Sequence, residues 1–287
     1  MHLHPRSHAT GVGTNPRLRW DSSVGSLSDD VFADVAAMSG VADAVAAARS
    51  AMDPVLLNRK LREHGRALAA QAALQNAHAS AALEGSEVPI AELSAGAAAS
   101  PVLRVALGVL EVQSMLRRLQ ELPARQIWAQ LAVVAGREYL PEDLRGRPRQ
   151  PGQPLHDPLH LKGVPEPDAV SVRLAMLAEL LQRPTLAPAM VVAAIAHAEL
   201  VATQPFAAGN GVIARAYFHH VLADRGVDPD YFSMTDVGLL SLGRAAYVRA
   251  IQQYDQGADG VAAWVLHVAQ SFERGALLTR TSLDSME

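Results

Sequence analysis

The 287-residue sequence contains no cysteine. That excludes disulfides, thiolate zinc sites and cysteine nucleophiles, and it agrees with a reducing compartment. Aromatic residues make up only 5%. Trp20, Trp128 and Trp264 are too scattered to build a base-stacking platform and read as core or anchoring residues. No charge of one sign dominates: the net charge is −4, so there is no basic surface to hold a polyanion and no nucleic-acid partner is expected. The longest apolar run, Met190 to Ala196, falls far short of the roughly 20 residues of a membrane span. The N-terminus has no apolar signal-peptide core, so no membrane partner and a cytoplasmic location are expected. Alternating β-branched runs and fixed-period repeats are scarce as well.

What the chain does have is enough apolar material to build a core: 49% hydrophobic against 19% charged. Residues 1–28 are rich in His, Gly, Ser and Pro with no hydrophobic period, and read as a disordered arm in which His2, His4 and His8 are solvated. Residues 29–287 read as a single helical domain. Asp29 and Asp30 can cap a helix running to Met52, which Asp53-Pro54 should break. A long segment from Val55 to Leu83 follows and ends at Gly85, a natural C-terminal cap. Further helices are expected at 89–93, 102–122, 124–135, 169–182, 188–203, 211–224, 236–254 and 260–279, with Pro101, Pro123 and Pro141 as punctuation. Between Arg145 and Asp168 prolines recur without helical order, which predicts a loop or short hairpin. Its Arg145, Arg147 and Arg149 read as a solvated basic run.

The most informative stretch is AELVATQPFAAGNGVIAR, Ala198 to Arg215. A helix ends there, a glycine-flanked turn follows, and a second helix starts at once. Gly209 and Gly211 let the backbone approach a ligand closely, and Asn210 suits a turn or cap. Amides opening the next helix favour an anion, and Arg215, one turn in, can supply a bidentate partner. A plain helix–turn–helix bend would use the same tripeptide.

Two motifs together resemble the Fic (Fic/DOC) family, mostly protein adenylyltransferases. The family pattern H-x-F-x-[D/E]-G-N-G-R-x-x-R aligns with Gln204 to Arg215, Q-P-F-A-A-G-N-G-V-I-A-R. The inhibitory pattern [S/T]-x-x-x-E-[G/N] matches Ser80-Ala81-Ala82-Leu83-Glu84-Gly85. The resemblance implies an all-α Fic-fold helical bundle with a small β-hairpin flap at about 150–168, an inhibitory helix at about 66–84 and a motif loop at 204–215. It also implies that Glu84 pairs with Arg215, and that Phe206 anchors the loop. It places the phosphate-binding groups at Gly209, Asn210, Gly211 and Arg215.

Three positions depart from the pattern. The general base is replaced by Gln204, which can hydrogen-bond a hydroxyl but has no usable basicity near pH 7. The acidic magnesium ligand is replaced by Ala208, which offers no oxygen to a hard cation. The first arginine is replaced by Val212. A positioned base is worth about 10²–10⁴-fold, so adenylyl transfer is expected to be impaired or absent. His197 lies on the order of 10 Å along its helix from Gln204, and with His219 and His220 it reads as packed or solvated. No resident metal is expected; ATP or another nucleotide is the ligand the resemblance implies. Two alternatives stay open: a transferase with altered donor chemistry, and a module that recognises a protein target by strand addition at the flap. Exposed Ala- and Leu-rich helix faces would allow a homodimer.

Overall fold

A computed structural model describes residues 30–96 and 100–287. The reading of 1–28 as an unpacked arm, with its histidines and Trp20, lies outside the described residues.

The first helices are shorter and more numerous than the periodicity suggests. Asp30 caps α1 (Val31–Ala36) by accepting from the Ala33 amide. The chain then turns at Gly40, φ +76°, into α2 (Val41–Leu56). Pro54 does not break α2. It sits in the last turn, where its missing N–H costs only one intrahelical bond, and Leu57 N–H closes the helix on Asp53 O at 3.0 Å. Next come α3 (Leu61–Leu83), α4 (Ile90–Ala95), α5 (Pro101–Met115), which passes into a short 3₁₀ turn, and α6 (Ala124–Ala135).

After the irregular segment, α7 (Pro167–Gln182) opens on a proline at its first position, where no donor is needed. The centre of the molecule is the antiparallel pair α8 (Ala189–Thr203) and α9 (Asn210–Asp224), packed against each other. Both are buried all round: α8 is almost wholly apolar, whereas α9 carries Asn210, Arg215, His219 and His220 into the core. The run Met190 to Ala196 is therefore the middle of the core. Where one helix was expected over 236–254 there are two, α10 (Thr235–Leu242) and α11 (Arg244–Tyr254), because Gly243 adopts φ +98°. The last helix, α12 (Ala258–Asp284), packs on α2, α10 and α11 and donates Trp264 Nε1–H to Ala194 O of α8 at 2.7 Å. The buried apolar residues contributed by these helices form one cluster.

The fold is all-α, but the expected β-hairpin flap is not formed. Residues 145–166 run as turns with one isolated antiparallel bridge, Pro148 to Phe206. Prolines at 148, 151, 154, 158 and 165 withhold the donors that two paired strands would need. The segment bonds instead to the motif loop: Arg149 N–H donates to Pro205 O and His156 N–H to Ala207 O, each at 2.8 Å.

Candidate functional site

The site is built where the ends of three helices meet. Helix α3 closes with Gly85 at φ +83°: Ser86 N–H reaches back to Ala81 O at 2.8 Å and Gly85 N–H to Ala82 O at 2.9 Å. That pair of bonds is the Schellman closure, which only a residue tolerant of positive φ completes cheaply. It leaves Glu84 as the C-cap of the helix.

Helix α8 ends at Gln204, which itself adopts a left-handed conformation, φ +50°. Its side chain is used up inside the loop. Nε2 donates to Val201 O at 2.9 Å, and Oε1 accepts from Asn210 Nδ2 at 2.9 Å. Asn210 in turn accepts from Phe206 N–H at 2.9 Å and donates to Phe206 O at 2.8 Å. Gln204 is thus a strut holding the turn closed, buried to 2% exposure. Phe206 packs into the core, and Ala208 is fully buried.

Gly209 caps α9 with φ +78°, and a side chain there would collide with Ala135, its Cβ lying 2.7 Å from Ala135 Cβ. Gly211 is required for a different reason. A Cβ on it would overlap Glu84 Oε1 and lie 3.0 Å from Glu84 Cδ and 3.1 Å from Arg215 Nη1. The Glu84 carboxylate therefore lies against the first turn of α9, where the helix dipole favours negative charge.

Arg215 is wholly buried and bound from three directions. Nη2 pairs with Glu84 Oε1 at 2.7 Å and also donates to Ser80 O at 3.1 Å. Nε donates to Ser80 Oγ at 2.8 Å, and Nη1 to Tyr247 OH at 3.2 Å. Burial works against its charge, but Tyr247 and Glu84 more than offset it and hold its pKa above the ordinary arginine value. The Tyr247 oxygen accepts from Arg215 and also shares a hydrogen bond with His197 Nε2, 2.8 Å away. His197 Nδ1 is buried without a partner among the described residues. Burial, reinforced by Arg215, pushes the His197 pKa well below 6.5.

A cleft of about 250 Å³ opens beside the cup, bounded by Glu84, Gly209 and Val212 and by the apolar faces of Val105, Leu107 and Val134. Tyr139 and His156 stack at its wall with ring centroids 4.0 Å apart. Burial and the nearby Glu84 raise the Tyr139 pKa.

This geometry gathers the Gly-Asn-Gly turn, a buried arginine and an intruding carboxylate into one site, and residues 130–222, which span the turn, match the model of the Fic/DOC family. Residues 130–222 form a Fic-family domain. Solved Fic structures share the architecture. A Fic family protein from Desulfovibrio desulfuricans superposes with a TM-score of 0.70 at 16% identity, covering 86% of this chain and 76% of that one. A Fic domain containing signaling protein from Bacteroides thetaiotaomicron gives 0.63 at 15% identity, covering 86% and 99%. Fic-1 from C. elegans gives 0.61 at 16%, covering 85% and 72%. No curated protein matches the chain.

The fold brings together the residues singled out in the sequence: Ser80 and Glu84 on Arg215, Gly211 beneath the carboxylate, and Gln204 and Asn210 within the turn. The magnesium ion the family implies does not fit this loop. Ala208 presents a methyl group, and among the described residues no group of three or more His, Asp or Glu could hold a metal. His219 is engaged by Asp236 at 3.1 Å and His220 stacks on Tyr217, while His197 is turned into the core.

Four contributors escaped sequence reasoning. Tyr247 comes from a helix with no motif of its own. Arg149, read as part of a solvated run, is half-buried and donates to Gln204 O at 3.1 Å and Pro165 O at 2.8 Å. Arg145 is likewise bound, to Leu140 O and Arg137 O. Arg244 joins the end of α3 to the flap through Leu83 O, 2.8 Å, and Pro158 O, 2.5 Å. A run of arginines near prolines was the available signal, since such segments leave carbonyls without partners.

Proposed function

We propose that this Fic-family protein binds a nucleotide phosphate in the cup over α9, is held closed by Glu84, and is impaired as a protein adenylyltransferase. One observation carries the reading: a carboxylate of the chain itself lies at the helix N-terminus on a buried arginine, as a bound anion would, and Gly211 leaves room for it. Impairment is supported by the groups at the three divergent positions. Gln204 is a neutral amide already spent on Val201 and Asn210, Ala208 is a buried methyl, and Val212 is an apolar cleft wall. None can accept a proton from an attacking hydroxyl or balance charge on a phosphate.

The flap backbone bonded to the motif loop supports a second reading, in which a protein segment laid along residues 147–156 is recognised there.

Transfer of labelled AMP from ATP tests the first reading. Wild type and Glu84→Gly are expected to label neither themselves nor lysate proteins above background. Gln204→His, Ala208→Asp and Val212→Arg combined with Glu84→Gly should restore labelling. Robust transfer by Glu84→Gly alone would refute the impairment.

A further inference from the structure

The charges around the cup say which kind of phosphate it can take. Three arginines line the cleft or close the cup, and each already faces a carboxylate. Arg104 Nε pairs with Glu138 at 2.8 Å, Arg137 binds Glu111 through two bonds at 2.6 and 3.0 Å, and Arg215 binds Glu84. Displacing Glu84 frees one cation, Arg215, together with the amides at the start of α9. One freed guanidinium and one helix end match one phosphoryl group.

A triphosphate brings further negative charges that meet no unpaired arginine of the cleft among the described residues. Where a second phosphate would look for one, Val212 presents an apolar wall and Ala208 a buried methyl. The loop offers a divalent ion no oxygen at Ala208, whose side chain is a buried methyl. The rest of the cleft is apolar, closed at one side by the stacked Tyr139 and His156 rings. At about 250 Å³ it is smaller than the roughly 300–1,000 Å³ of pockets that enclose drug-sized ligands.

We propose that the opened cup takes a single phosphoryl group without a divalent cation: its ligand is a phosphate monoester on a small apolar or aromatic body, and a metal–nucleoside triphosphate complex binds less well. This rests on the reading of the cup as an anion site occupied by Glu84.

The test is calorimetric titration of the full chain carrying Glu84→Ala, and separately Glu84→Gln in case the first variant is poorly folded, with near-ultraviolet circular dichroism to establish folding. The probes are AMP, ATP, adenosine and inorganic phosphate, each with and without magnesium. AMP is expected to bind at least as tightly as ATP, magnesium to leave both affinities unchanged, and adenosine to bind about tenfold or more weakly than AMP, the loss of one charge-assisted contact. Tighter binding of ATP than AMP, or a gain on adding magnesium, overturns the single-phosphoryl inference alone. Equal affinity for adenosine and AMP removes the phosphoryl group from recognition and overturns it too. If folded variants bind no probe, the anion-site reading itself falls, and this inference with it.

Discussion

The carboxylate of Glu84 fills the volume that a side chain on Gly211 would take, although 127 positions separate them in sequence. Two glycines of one turn are therefore constrained in different ways. Gly209 is needed for its left-handed backbone and for its approach to Ala135, whatever Glu84 does. Gly211 is needed chiefly to admit Glu84, with Arg215 Nη1 the next nearest neighbour of a Cβ there, at 3.1 Å.

Gly211→Ala should expel Glu84 and destabilise the protein, and most of that loss should vanish in a Glu84→Ala background. Gly209→Ala should cost the same in both backgrounds, at least the roughly 1–2 kcal/mol of a left-handed non-glycine residue. Urea denaturation of the two double-mutant cycles checks this. The expected coupling is about 0.5–3 kcal/mol for 211 with 84 and near zero for 209 with 84.

Arg215→Met strands the Glu84 carboxylate and the Ser80 acceptors. Breaking a buried pair from one side typically costs about 3–5 kcal/mol. The melting temperature should fall steeply, and Arg215→Met combined with Glu84→Met should recover part of the loss, because no charge is then left unpaired. Equal stability of the single and double variants would count against a buried ion pair.

Tyr247→Phe removes the hydroxyl shared by Arg215 and His197. It should cost about 1–3 kcal/mol, the desolvation cost of buried groups left unpaired. Nitrogen chemical shifts of His197 provide the specific readout. The Nε2 signal should change on removal of the hydroxyl, with a smaller change at Nδ1.

Burial lowers the pKa of His197, and of His220 and His267, below the usual histidine value. The unfolded chain then binds more protons than the native one as pH falls below about 6.5. Stability from these neutral histidines is complete above that pH and is lost on acidification. His197 alone can contribute a slope of up to about 1.4 kcal/mol per pH unit. Denaturant midpoints measured between pH 7.5 and about 5 should fall with acid, and less steeply in His267→Leu.

Arg149→Ala removes the side-chain bonds from the flap to Gln204 and Pro165 while leaving the helices intact. Hydrogen exchange at the amides of Arg149 and His156 should quicken, with little change in the amides of α8 and α9.

The helices and the turn were legible because they are local. Asp30, Gly85 and the Gly-Asn-Gly tripeptide shape the chain within a few positions of themselves, and the spacing of Ser80 and Glu84 sets both on one face of α3. Where that reading slipped, a competing local choice had prevailed: Pro54 fell in a last turn, Gly243 interrupted a continuous period, and the prolines of 148–165 prevented a hairpin. Identity at 204, 208 and 212 was likewise enough to name the groups of the family pattern that these positions lack, because an amide, a methyl and an isopropyl group do not become a base, a carboxylate or a charge through their surroundings. Tertiary structure alone decided what the remaining groups do. Arg215 meets Glu84 across 131 positions and Tyr247 across 32, and Gln204 is absorbed into the turn by Asn210. Those partners are chosen when helix ends from distant parts of the chain are brought together and buried polar groups must all be satisfied at once, a condition that no local stretch of sequence contains.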